Sequence, residues 1–256
     1  MVPSILQAQI ANIEKYRLDK DTSNAWLGNT GLGLASKKQQ NTVNEFSAYL
    51  NVVYLSGKHS YMTINYTDLQ QVNKFNFISE GYTHWRANFF RKQFVSYEPF
   101  FQLQYDKGRG LDSRNLYGLS FRFNLLHRNK DRKKLDITVS TGLMYEEEYW
   151  QGKVLRFGEA NDSTRAHTQF IKSTSNFFLR AALHENITLY TSIYYQARFE
   201  KFTHPRIVSD IQCVFKITKK LSFSTTFGST YDALPIVAGN VFTYKLSGNF
   251  MFQLNQ

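Results

Sequence analysis

Two stretches, SYEPFFQLQY (96–105) and LYGLSFRFNL (116–125), place an apolar or aromatic residue at every second position. Tyr97, Pro99, Phe101, Leu103 and Tyr105 alternate with mostly polar partners, as do Tyr117, Leu119, Phe121, Phe123 and Leu125. Successive strand side chains point to opposite faces, so this pattern predicts strands with one greasy face and one polar face. It recurs from about residue 24 to the end, in twelve segments. The segments are 25–36, 45–55, 61–67, 74–90, 96–105, 116–125, 135–150, 169–182, 187–200, 206–217, 221–232 and 241–254. No convincing helical period follows residue 22. Residues 1–22 read as a polar leader that holds at most a short, weakly amphipathic helix, and 23–256 read as one β domain.

Alternation alone also describes a soluble β domain, whose strands turn one face to a core. Three features favour a bilayer. Soluble strands run to about five or six residues, whereas many of these reach ten or more, the span needed to cross a membrane at a tilt. The even count puts both termini on one side. Connections differ in kind: those after even-numbered segments (SGKH, RKQ, HRNKDRKK, HEN, TKK) are short or basic, and the longest irregular ones, including DKGRGLDSRN (106–115) and 151–168, follow odd-numbered segments. Outer-membrane barrels have this asymmetry of short periplasmic turns and longer outer loops. In hydrocarbon every backbone N–H and C=O needs a partner within the protein, and a closed barrel supplies one without a free edge. The expected fold is therefore all-β, a closed antiparallel transmembrane barrel of about twelve strands with periplasmic termini.

Composition agrees with that reading. Aromatics make up 16 % of the chain, and Cys213 is the lone cysteine. No window of about eighteen apolar residues exists to form a membrane helix. The first residues lack the basic and apolar parts of a signal peptide, so the chain is expected to be a mature form or to carry none. The net charge of +11 suits nucleic acid, anionic lipid or simple solubility. The basic runs are turn-length and dispersed, which disfavours nucleic acid.

The phase assigns the side chains. Phe101, Leu103, Leu119, Phe121, Phe123, Ile137, Val139, Leu189 and Ile193 are expected to face lipid. Tyr97, Tyr105, Tyr117, Tyr145 and Tyr231 lie near strand ends and suit interfacial girdles. The opposite face is expected to line the lumen with Glu80, His84, Arg86, Glu98, Arg122, Asp136, Glu146, Lys172, Arg180, Arg198, Asp210, Lys216 and Asp232, together with Glu45 and Lys245. Both signs are interspersed, so the interior is expected to be largely filled by ion pairs. The alternative is a narrow channel for passive permeation of a small solute or ion. Pro99 lacks an N–H and is expected at a bulge or near a strand start.

Enzymatic chemistry finds little support. His84 shares a strand face with Glu80 and Arg86, but that face is the inner one, away from a lipid substrate, and an outer-membrane hydrolase is the least favoured class. His59, His127 and His184 fall in turns, and His204 sits beside Pro205. No spacing marks a metal site, so no metal, cofactor or catalytic residue is assigned. The acids at 146–148, with Glu159 and Asp162, read as a solvated outer rim, with Ca2+ or lipopolysaccharide bridging as the alternative.

The stretch FISEGYTHWRANFFRKQFVSYEPFFQLQYDKGRGLDSRNLYGLSFRF (77–123), the run TGLMYEEE (141–148) and YYQARFEKFTHPRIVSDIQCVFKITKKLSFSTTFGSTYD (194–232) carry a resemblance. The chain resembles, over about 24–254, a family of small outer-membrane β-barrels of unknown function, sometimes labelled salt-induced outer membrane protein. It looks most like Bacteroidetes-type members. The resemblance implies a Gram-negative outer-membrane location and a barrel fold, and it carries no enzymatic residues. The final strand departs from the expected terminal aromatic by ending in two polar residues. The expected role is structural or accessory within an envelope assembly. The expected partners are outer-membrane lipids and lipopolysaccharide. Another envelope protein, bound through 151–168 or the basic periplasmic turns, is a further candidate.

Overall fold

A computed structural model describes residues 24–38, 42–72, 76–126, 135–151, 155–156, 159–160, 164–218, 221–236 and 241–252. The leader 1–22, the basic turn 127–134 and most of the TKK turn lie outside these residues. Among the described residues there are fourteen strands: β1 (Asn24–Lys38), β2 (Thr42–Ser56), β3 (His59–Val72), β4 (Asn76–Asn88), β5 (Val95–Asp106), β6 (Leu111–Leu126), β7 (Leu135–Gln151), β8 (Leu155–Arg156), β9 (Glu159–Ala160), β10 (Arg165–His184), β11 (Ile187–Arg198), β12 (Arg206–Lys216), β13 (Leu221–Asp232) and β14 (Phe242–Phe252). Twelve of them form one antiparallel sheet in chain order, β1 to β7 and then β10 to β14. β8 and β9 make a separate two-stranded hairpin inside the long connection, which the sequence pattern does not reveal.

The twelve expected strands all appear, most of them longer than the alternation suggests. β10 begins at Arg165 and runs for 20 residues. β6 resumes at Leu111, after only a 3-10 turn over Lys107–Arg109. The connection expected over 106–115 is thus mostly strand. Its polar residues, Asp112, Ser113, Arg114 and Asn115, hide the alternation, and a register shift between Leu111 and Ser113 changes its phase. Gly110 ends the turn at φ 79°, and a Cβ there would stand 1.9 Å from the Gln151 carbonyl oxygen. Gly110→Ala should therefore lower stability by at least about 1 kcal/mol, measurable as a shift of the urea midpoint.

Pro99 sits inside β5 rather than at a bulge. β4 and β5 pair from Glu80↔Asp106 to Arg86↔Phe100, then lapse until the bridge Phe89↔Tyr97, whose two backbone hydrogen bonds are 3.0 and 3.3 Å. Hydrogen-bonded pairs recur every second residue in an antiparallel ladder. The next such pair would join Ala87 to Pro99, which has no N–H to give. The ladder skips one pair and resumes in register.

The sheet curls. Val53 and Leu55 of β2 and Met62 and Ile64 of β3 form one buried cluster with Tyr194 of β11 and Val208 of β12, strands that lie far away in sheet order. All six side chains belong to one face of the sheet by register. That concave face is the inside. Among the described residues no ladder joins β1 to β14, so the structure establishes a curled twelve-stranded meander and not the closed barrel expected from the sequence.

Candidate functional site: the buried polar interior

Register places all thirteen lumen candidates on the inner face of the curl. His84, Glu98, Arg122, Glu146, Lys172, Asp210 and Asp232 are buried. Glu80, Arg86, Asp136, Arg180 and Arg198 are half-buried, and Lys216 is exposed at a strand end. An ion cannot be stripped of water without a partner unless it loses several kcal/mol, so the interior is organised by pairing.

The main network lies toward the end that carries the longer connections. Arg114 of β6 is 1 % exposed and donates to Glu146 at 2.7 Å and to Glu148 at 2.8 Å, both on β7. Lys172 of β10 pairs with Glu146. Arg206 of β12 bonds Asp232 of β13 at 2.8 Å and reaches back to Glu146 at 3.4 Å and Glu148 at 3.5 Å. Trp150 Nε1 donates to Glu148 at 3.0 Å. Three bases thus face three acids across five strands, and the formal charge of the group balances. Above it, Leu111 and Trp150 pack with Ala166 and with Ile236 from the connection after β13. Arg109 in the 3-10 turn leans toward the same carboxylates, and burial holds its guanidinium pKa below the ordinary value.

Two smaller groups lie elsewhere on the inner face. Arg86 Nη1 and Asn88 Nδ2 donate to Glu98 at 2.7 and 2.6 Å. His84 Nδ1 lies 2.9 Å from Gln102 Oε1, and Gln102 Nε2 donates to Gln104 at 3.0 Å. His84 therefore stands beside the Gln102 amide, and Arg86 is engaged with Glu98. The cavity between these groups, lined by His84, Phe100, Met144, Tyr194 and Gln196 among others, measures about 30 Å³. That holds one or two waters.

The acids at 146–148 do not form a solvated rim. Glu146 and Glu148 are 0 % and 1 % exposed, because alternation sends both to the inner face. Glu147 alone points outward, where His167, Gln169 and Tyr149 surround its carboxylate at 2.9 to 3.1 Å. The side chains of Glu159 and Asp162 lie outside the described residues. No group of three or more metal-ligating side chains occurs among the described residues.

No family model and no curated protein matches the sequence. Solved structures with a similar fold include one porin. It is titled "NanC porin structure in rhombohedral crystal form", shares 8 % identity, and matches with a TM-score of 0.49 over 88 % of this chain and 100 % of that one. At that level the likeness supports no argument, and the reading below rests on the chain's own geometry.

The outer face is the reverse of the inner one. The nine residues expected to face lipid all lie on it by register, with Leu103, Leu119, Phe121 and Ile193 exposed and Phe101, Phe123, Ile137, Val139 and Leu189 half-buried by neighbours. Trp85, Phe101, Tyr117 and Tyr145, register partners on four successive strands, form a row with ring centroids 5.2, 4.8 and 6.4 Å apart. A second row near the short-turn end links Trp26, Tyr54, Tyr61, Phe89 and Tyr97. Within the twelve sheet strands, the formally charged described side chains on the outer phase are Glu147, the terminal Arg165 and, at the start of β6, Asp112.

Two features escaped the sequence reading. Arg114 was hidden in a segment read as a connection, and Arg206 opens its strand. Both follow the inner phase of the strand they occupy, so extending the alternation by a few residues finds them. The second is the apolar interior of β2 and β3, where Val53, Leu55, Met62 and Ile64 occupy the phase expected to be polar.

Proposed function

We propose that the chain is an outer-membrane β-barrel with an occluded interior and a structural or accessory role in the envelope. One observation carries this reading. Large apolar side chains stand on the outside of the strands, with Leu119 44 % and Phe121 46 % exposed, while Glu98 and Glu146 are 0 % exposed on the inside. A water-soluble β protein places these classes the other way round. An outward greasy band with aromatic girdles and a polar interior is the arrangement hydrocarbon selects.

On this reading β1 and β14 meet to close the barrel, since an unpaired edge is not tolerated in lipid. The short-turn end, with the termini, is periplasmic. Outer-membrane lipids cover the apolar face, and the β8–β9 hairpin region offers an outer surface to another envelope protein. Membership in the small outer-membrane barrel family belongs to the same proposal. Occlusion is favoured over permeation because the ion-pair network and the apolar cluster occupy the inner face, and the cavity lined by His84, Phe100 and Tyr194 measures about 30 Å³.

Planar-bilayer recording on the purified chain tests this. The expected result is electrical silence. Discrete, reproducible openings reject occlusion and support the narrow channel instead.

A further inference from the structure

The connection after β13 turns inward across the end of the curl that carries the longer connections. Ile236 packs on the buried pair Leu111 and Trp150, which stand at the start of β6 and near the end of β7. In sheet order β10, β11 and β12 lie between β7 and β13. The contact is therefore made across the interior and not along the sheet.

The two sides of this strap are held differently. On the β12–β13 side it is tied by hydrogen bonds. Ala233 N donates to the Pro205 carbonyl and Leu234 N to Asp232 Oδ1, both at 3.1 Å, and Asp232 N donates to the Val241 carbonyl at 2.9 Å, which closes the base of the connection. On the β6–β7 side the seat is fixed by its own bonds. Gln151 N donates to the Gly110 carbonyl at 2.6 Å, and the Trp150 indole donates to Glu148 at 3.0 Å. Among the described residues, the strap meets that seat through the apolar side chain of Ile236. Apolar packing has no preferred direction, so this tip can leave its seat without breaking a hydrogen bond. A segment bonded at one rim, with an apolar tip resting on the other, has the build of a lid.

The ion pairs lie directly beneath it. Asp232 serves both parts, since Oδ1 holds Leu234 N while Oδ2 takes Arg206 Nε at 2.8 Å. Arg206 in turn reaches Glu146 and Glu148. One carboxylate thus ties the strap to the charges it covers. Excluding water above those charges lowers the local dielectric and strengthens their pairing.

We propose that residues 233–236 form a lid over the outer mouth, an autoinhibitory contact that shuts the interior to solutes from outside, with Ile236 as its tip and Asp232 as its latch. The lid rests on the occluded-barrel reading above. It adds to that reading the element that closes the outer side and the contacts whose loss opens it.

The test is acrylamide quenching of Trp150, on the full chain inserted in phospholipid vesicles with acrylamide on both sides. Trp26→Phe and Trp85→Phe, at two exposed rings of the outer face, leave Trp150 as the lone tryptophan. In this parent Trp150 should be well protected. Ile236→Gly, which removes the tip, and Asp232→Ala, which removes the latch, should each raise the quenching constant several-fold. Two variants guard against one that fails to fold. Met62→Ala, in the separate apolar cluster, should leave quenching unchanged. Free quenching in the parent overturns the lid, and so does continued protection in the folded lid variants. An equal rise in Met62→Ala overturns it too, because general loosening then explains the effect. Insertion is scored first, by heat-dependent gel mobility. A chain that fails to insert refutes the membrane reading and takes the lid with it. An inserted, electrically silent chain whose Trp150 is freely quenched refutes the lid alone.

Discussion

Arg114→Ala should cost about 3–5 kcal/mol of folding free energy, because it leaves buried carboxylates without their closest cation. Arg114 is the centre of the inner network, within 2.8 Å of both Glu146 and Glu148. Lys172 and Arg206 still touch Glu146 after its removal, but Glu148 keeps only the 3.5 Å contact to Arg206 and the Trp150 indole. Two carboxylates on alternate residues of one strand then face each other across a site closed to water. The measurement is a urea titration of the chain folded in lipid vesicles, followed by tryptophan fluorescence. Lys216→Ala is the control. Its side chain lies exposed at the end of β12, so a change within about 0.5 kcal/mol is expected. If Arg114→Ala behaves like that control, the network is not closed to water and the occluded interior fails with it.

Phe121→Arg and Ile193→Arg should each destabilise the inserted chain by about 2–4 kcal/mol if they sit near the bilayer midplane, and by less toward the interfaces. Both side chains point outward and are exposed, at 46 % and 41 %. In water, arginine at an exposed strand position changes stability by only a few tenths of a kcal/mol. The same substitution therefore gives opposite results in the two environments, which makes it a direct test of what covers the outer face. Folding yield into vesicles, scored by heat-dependent gel mobility, is the readout. Wild-type yield for both variants would mean that the outer face meets water. The contrast with Arg114→Ala is informative: removing a charge from the inside and adding one to the outside should be harmful for one reason, the inverted placement of polar and apolar side chains.

Much of this was legible in the chain alone. Alternation is a local property, since each residue's face depends only on its position within the strand. For that reason all thirteen inner candidates and all nine outer ones fall on the faces their phase assigns. The same logic also corrects the reading of residues 146–148, where neighbouring acids must diverge: Glu146 and Glu148 go in, and Glu147 goes out.

What alternation cannot specify is distance. It names Glu146 and Asp232 as inner residues but cannot say that Arg206 bridges them, because that depends on how far the sheet curls and how β7, β10, β11 and β12 stagger. Nor can it show that Val53 of β2 meets Val208 of β12, which is a matter of curvature and of register between strands. The sequence by itself decided which side of the sheet each residue faces, because the strand repeat is two residues and needs no neighbours. Only the tertiary structure decided which inner charges meet and how little space they leave, because curvature and stagger are set by all twelve strands together.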